Sequence, residues 1–246
     1  MDKMLYISAS GLKQIMRSQA VNAHNLANAS TPGFRADLQA FKDVQVYGSG
    51  SSSRNFSVMD KIGTDFTEGR IVHTGNDLDI AINGKGFMAI QSGDGREAYT
   101  RSTSLQVSQN GLLLNSAGHQ VMGNGGPITL PPSSKVEIGE DGTISVIPVG
   151  QDSTTLAVID RIKFVNPDEG SLSKGDDGLL YMEDSAVAPA DAFVKVVSGY
   201  VESSNVNVID AMVTMIELTR NFEMQSKMMK NAEENDSNSS KLLTVS

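Results

Sequence analysis

The sequence predicts a mainly β fold with long terminal α-helices, the two helices partnering each other and a central β-rich domain inserted between them. Three observations predict it. Apolar residues recur in steps of three and four from Lys3 to Asn28, the spacing of one helix face. Short alternating runs broken by Asn-Gly and Asp-Gly pairs fill the middle of the chain. The helical period then returns from Asn205 onward.

In the first helix the predicted face is Leu5, Ala9, Leu12, Met16, Ala20, Ala23 and Ala27. A helix of about 26 residues at 1.5 Å per residue is roughly 39 Å long. Asn25 and Asn28 are poor helix formers tolerated near an end, and Pro32 disfavours helix at Thr31 before it. Pro32-Gly33 therefore reads as the centre of a tight turn that redirects the chain at Phe34.

The middle contains runs such as Leu78-Asp79-Ile80-Ala81-Ile82 and Thr143-Ile144-Ser145-Val146. Asn83-Gly84, Asp94-Gly95, Asn110-Gly111, Asp141-Gly142 and Asp177-Gly178 separate them, and such pairs supply the positive φ that two-residue hairpin turns require. Gly48 to Ser53 reads as a flexible Gly/Ser tract and Pro131-Pro132 as a rigid break. In the last helix, Val208, Met212, Met215, Thr219, Phe222, Ser226 and Met229 form one stripe, with Ile209, Val213 and Ile216 as a second beside it. A helix with two stripes needs partners on more than one side. Past Lys230 the run NAEENDSNSS has weak helix propensity, which predicts a fraying tail. The expected partition is a helix and turn over residues 1–36, an extended linker or β segment over 37–75, a β-rich outer domain over 76–203 and a final helix over 204–246. Neither helix alternates with strands as in an α/β fold, so each is the other's natural partner.

Composition excludes several function classes. At 246 residues and 39% hydrophobic content the chain fills a real core. A net charge of −9 without a basic cluster argues against a nucleic-acid partner. Apolar runs are only a few residues long, so membrane insertion is not expected. The first residues, MDKMLYISASGLKQIMRS, carry Lys13 and Arg17 where a secretory signal would have its apolar core. Zero cysteines excludes disulfides, thiolate metal sites and cysteine nucleophiles.

Residues able to do chemistry are few. His24, His73 and His119 lack a second His or a carboxylate at helical metal-site spacing, so the expectation is ordinary surface or hydrogen-bonded histidines and no metal. Asp77 and Asp79 alternate as an acid–base pair would, but an outward-facing strand edge gives the same pattern. The glycine-rich Gly48-Ser49-Gly50 and Gly123-Asn124-Gly125-Gly126 lack phosphate-cradle spacing, and there is no G-x-S-x-G elbow. The expectation is a non-enzyme without cofactors. Met212, Met215, Met224, Met228 and Met229 read equally as an adaptable binding surface or as flexible core filling.

Three segments together resemble the flagellar axial proteins, the rod, hook and hook-associated family. NLANASTPGFRA after an amphipathic helix is similar to the family's amino-terminal signature. NDLDIAINGKGFMAIQ, with AYTR and NGLLLNSAGHQVMG, is similar to the β domain of its rod and hook members. VESSNVNVIDAMVTMIELTRNFEMQSKMM is similar to its carboxy-terminal helix. One departure is Thr103 and Leu105, where the family has Gly and Phe.

The resemblance implies a structural subunit of the flagellar basal-body rod, which transmits motor torque to the hook. Length and the two ends point to the proximal rod, with the distal rod or a secreted non-catalytic β-domain binding protein as alternatives. It implies that the terminal helices pair as a coiled coil lining an inner tube, with the β domain outside. It further implies export through the flagellar apparatus without signal cleavage, a location in the rod crossing the periplasm, and copies of itself and other rod proteins as partners. The assembly residues so implied are Leu5, Leu12, Met16, Asn25, Leu26, Asn28, Thr31, Pro32, Gly33 and Phe34 near the start, and Val208, Met212, Met215, Ile216, Phe222 and Met229 on the last helix.

Overall fold

The computed structural model describes residues 3–45, 55–148, 150, 156–183 and 186–244, so the predicted Gly48–Ser53 tract lies outside the described residues. Contacts divide the chain into two compact units. One comprises Met1–Ala29, Asp37–Asp65 and Val206–Ser246; the other comprises Ser30–Ala36 and Phe66–Asn205. The turn after the first helix thus belongs with the β-rich unit, and the segment after it with the helices.

The helical unit contains α1 (Lys3–Ala27), β1 (Asp37–Gln45), β2 (Asn55–Thr64) and α2 (Val208–Thr244). β1 and β2 form an antiparallel hairpin, Asp37 opposite Thr64 and Gln45 opposite Asn55, with a register shift between Ala40 and Phe41. The hairpin lies against α1: the Ser18 hydroxyl donates to Gln39 Oε1 at 2.6 Å, and Gln39 Nε2 donates to the Ser18 carbonyl at 3.2 Å. α2 starts at Asn207, whose side-chain oxygen accepts the amide of Ile209 at 3.0 Å, an N-cap absent from the sequence reading. The expected fraying beyond Lys230 does not occur, since α2 continues unbroken to Thr244.

The predicted coiled coil needs correction. α1 and α2 run in opposite directions against each other, Asn22 Nδ2 donating to the Ala211 carbonyl at 2.8 Å and Gly11 facing the Gln225 amide. The apolar faces read from the sequence are protected only in part, at Leu12 on α1 and at Met215, Ser226 and Met229 on α2, which are half-buried. Ala9, Met16, Ala20, Ala23 and Ala27 are exposed on α1, as are Val208, Met212 and Phe222 on α2. Other protected positions lie beside these, at Ser8, Gly11, Ile15, Ser18 and Asn22 and at Ala211, Leu218, Gln225 and Ala232. Small and polar residues dominate them, and Gln14 Nε2 and Gln225 Oε1 are buried without a hydrogen-bond partner. A heptad seam requires apolar knobs, and along this contact Gly11, Asn22 and Gln225 stand in their place. With the hairpin added, the unit is two helices plus a β-hairpin.

The second unit is all β. Two strand pairs are β3 (Ile71–His73) with β17 (Tyr200–Glu202), and β4 (Ile80–Asn83) with β16 (Lys195–Ser198). The largest sheet is antiparallel, ordered β14 (Leu172–Lys174), β15 (Leu180–Met182), β6 (Glu97–Thr100), β5 (Phe87–Gln91), β9 (Gln120–Val121), β8 (Leu113–Asn115) and β7 (Leu105–Val107). β13 (Phe164–Val165) also pairs with β5. A three-stranded meander joins β10 (Ser133–Ile138), β11 (Thr143–Pro148) and β12 (Ala157–Arg161). Gly84, Gly95, Gly111, Gly142 and Gly178 all take positive φ between 78° and 84°, as the turn pairs require.

Ile80, Ala81 and Ile82 are all buried, so β4 is covered on both faces where the alternating run predicted one. Ile80 and Ile82 join Met88, Ile90, Leu113 and Ile144 in the main core, while Ala89, Tyr99 and Val165 lie in a second cluster. At the two departures from the family pattern, Leu105 is buried in the main core and the Thr103 hydroxyl donates to the Ile80 carbonyl.

Candidate functional site

The turn after α1 is built from its backbone upward. The Asn28 side chain donates to the His24 carbonyl at 3.0 Å, beside the Asn28 amide that donates to the same carbonyl at 3.2 Å. The Phe34 amide then donates to the Thr31 carbonyl at 3.3 Å, closing the turn over Pro32 and Gly33. Gly33 has φ +71°, and its amide donates to the Glu202 carbonyl at 2.8 Å. A Cβ placed on it would stand 2.2 Å from the Arg101 carbonyl carbon, so only glycine fits. The half-buried Phe34 ring lies under Lys174, whose Nζ is 4.0 Å from the ring centroid.

Directly behind the turn, Arg35, Arg101 and Glu202 form a buried network. Glu202 Oε1 meets Arg35 Nη1 at 2.7 Å and accepts the Gly69 amide at 2.8 Å. Glu202 Oε2 accepts Arg101 Nε at 2.7 Å and Nη2 at 2.6 Å. Arg101 Nη1 donates to the carbonyls of Gly84 and Gly86, each at 2.7 Å, and Arg35 Nη1 to that of Thr67 at 2.6 Å. Burial pulls the Arg35 guanidinium below its ordinary pKa, against the stabilising charge of Glu202. The network ties the turn to β17, to the AYTR segment and to the Gly84–Gly86 bend. Sequence reasoning missed all three residues. The available signal was their position, since each lies inside one of the three segments that carry the family resemblance.

Other predicted residues fall in the helical unit. Asn25 bonds the Asp37 backbone in both directions, Nδ2 to its carbonyl at 2.9 Å and Oδ1 from its amide at 2.8 Å. His24 Nδ1 lies 2.7 Å from Asp37 Oδ2, a carboxylate thirteen residues away that helical spacing rules do not reach. Leu12 and Leu26 are half-buried, Met16 is exposed, and the Leu5 side chain lies outside what is described. On α2, Met215 and Met229 are half-buried, whereas Val208, Ile209, Met212, Val213 and Ile216 form a continuous exposed apolar face over the first turns. Phe222 stands at its margin, while Thr31 is exposed and Pro32 half-buried in the other unit.

The possible acid–base groups are engaged with one another. Asp79 is buried and accepts the Ser104 hydroxyl at 2.6 Å while Asp77 is exposed, so the two do not form a matched pair. An open cleft of about 690 Å³ is lined by Ser92, Asp94, Arg96, His119, Asp177 and Tyr181. Within it the Tyr181 hydroxyl donates to Asp177 at 2.5 Å, and Arg96 Nε donates to Asp94 at 2.6 Å. Among the described residues there is no group of three or more potential metal ligands, and no helix is long and apolar enough to cross a membrane.

Comparison with known proteins places these features in context. Three family models match: a flagella basal body rod protein model over residues 5–35, a flagellar hook protein FlgE/F/G D1 domain model over 81–146, and a flagellar basal body rod FlgEFG protein C-terminal model over 197–242. The chain is 39% identical to the flagellar basal-body rod protein FlgF of Salmonella typhimurium, covering 100% of both chains. Identity to the FlgF of Escherichia coli is 40%, again over 100% of both. The flagellar basal-body rod protein FlgG of Buchnera aphidicola is 33% identical over 94% of this chain and 95% of its own.

Proposed function

The chain belongs to the flagellar basal-body rod protein family, and from that membership we propose that it is a non-catalytic structural subunit of the proximal rod. The observation that carries this is alignment at 39–40% identity, over 100% of both chains, with two rod proteins named FlgF. A rod subunit stacks head to tail, so every copy must present different patches to different neighbours. The exposed Val208–Ile216 face of α2 is suited to one such contact, and its methionine fits neighbours of unlike shape. Copies of itself and other rod proteins are the proposed partners, and the flagellar export apparatus the proposed route to a rod crossing the periplasm. The Thr31–Phe34 turn is proposed to act as the corner at which the chain leaves α1.

Deleting the gene in its host and imaging isolated basal bodies alongside a swimming assay tests this reading. Rods missing or stopped short, with swimming lost, are the expected result, and the length of the stub separates a proximal from a distal place. Normal rods and normal swimming overturn it.

A further inference from the structure

We propose that a small cavity beside Arg35 is a binding site for a single monatomic anion, chloride under ordinary conditions. The cavity holds about 40 Å³ and is lined by Arg35, Arg101, Lys85, Phe66 and Phe87. Space for one water needs only about 10–15 Å³, so the cavity has room for a halide. Two carboxylates also line it: Glu169, held by Lys85 at 3.0 Å, and Glu68, which is solvent-exposed.

The argument rests on a buried charge excess and an unused donor. Arg35, Arg101 and Glu202 are 5%, 3% and 2% exposed, so two buried cations share one buried anion, and the further carboxylate that acts on Arg35, Glu68, lies at the surface. Both Glu202 oxygens are already engaged, each by an arginine, and cannot neutralise a second full charge. Arg35 Nε is buried and meets no protein acceptor, although the guanidinium's Nη1 is fully used. A buried charge offset partly by a surface carboxylate is costly, and an unmet donor adds to it. Water would satisfy the donor alone. A halide satisfies the donor and adds a buried counter-charge, and Phe66 and Phe87 line the cavity beside it.

Crystals of the full chain grown in sodium bromide test the site directly, with unfolding midpoints compared in chloride and gluconate at equal ionic strength. The expected results are an anomalous bromide peak within hydrogen-bonding reach of Arg35 Nε and a midpoint about 3–6 °C higher in chloride at tenfold saturation. Arg35→Lys is expected to abolish the difference between the salts; should that variant not fold, the bromide peak in the unaltered chain decides. A cavity holding only water, the Glu68 carboxylate turned onto Arg35 Nε, or a bromide peak without any midpoint difference each overturns the proposal.

Discussion

Glu202 receives Arg101 side-on, its Oε2 accepting both Nε and Nη2 at 2.7 and 2.6 Å with both side chains almost wholly removed from water. Removing the carboxylate leaves two buried guanidiniums facing each other. Glu202→Gln is therefore expected to destabilise the β-rich unit by about 3–5 kcal/mol, the cost of breaking a buried pair from one side. Urea unfolding followed by tyrosine fluorescence measures it, and a loss under 1 kcal/mol would show that the network is dispensable.

Gly33 and Gly84 separate backbone strain from steric exclusion. Both have positive φ, +71° and +80°, but a Cβ on Gly84 meets nothing within 4 Å while one on Gly33 runs into the Arg101 backbone. Gly84→Ala should cost about 1 kcal/mol from φ alone, and Gly33→Ala on the order of 3 kcal/mol or more. Equal losses would mean that the turn shifts away from Arg101 without penalty.

Asn25 acts as a two-way clamp on Asp37. Asn25→Ala removes both hydrogen bonds and exposes the amide of Asp37 to exchange. The expected loss is about 1–3 kcal/mol, confined to the start of the hairpin. Hydrogen exchange read by NMR should show faster exchange at Asp37, with the β-rich unit unchanged; unchanged protection at Asp37 would refute the clamp.

Tyr99 sets an alkaline limit. Burial pushes its phenol up to about 12, and its oxygen accepts the Ala188 amide at 2.8 Å. The unfolded phenol titrates near 10, so the unfolded chain releases this proton first as pH rises. The stability linked to Tyr99 is therefore complete below about pH 10 and is lost between about pH 10 and 12. Tyr99→Phe should lower stability at neutral pH, by leaving the Ala188 amide unmet, yet lose less of what remains across that alkaline window. Parallel pH profiles for the two proteins would assign the loss to lysines instead.

Local signals in the sequence carried most of the β-rich unit. Asn-Gly and Asp-Gly pairs encode their own turns, and Pro32-Gly33 encodes its break, because φ preferences act within a few residues. The helix faces were misread for a different reason. Periodicity finds an apolar stripe, but cannot tell whether that stripe faces its own chain or another, and here Met16 and Met212 face outward while Ser8, Ser18 and Asn22 face in. The β1–β2 hairpin was only half visible, as an extended segment without a partner. Arg35, Arg101 and Glu202 lie far apart in sequence, and no spacing rule joins them. Only the folded chain shows that the residue after the predicted turn anchors it.

The exposed face of α2 makes the most direct claim about function. Val208, Ile209, Met212, Val213 and Ile216 are 40–73% exposed, an arrangement that adds little to the stability of one copy. Charged residues there should leave the isolated chain within about 0.5 kcal/mol of its original stability, as surface substitutions usually do. In an assembled rod the same charges would be buried against a neighbour without a partner, at a cost of several kcal/mol per contact. Ile209→Glu and Ile216→Glu are thus expected to fold normally but fail to complement a deletion strain, giving no swimming and incomplete rods. Glu233→Lys, an exposed change farther along α2, serves as the control and should swim. If both glutamate variants restore swimming, this face is not an assembly contact and the apolar stripe needs another explanation. If they fail only because the isolated protein unfolds, the face belongs to the helical unit's own packing.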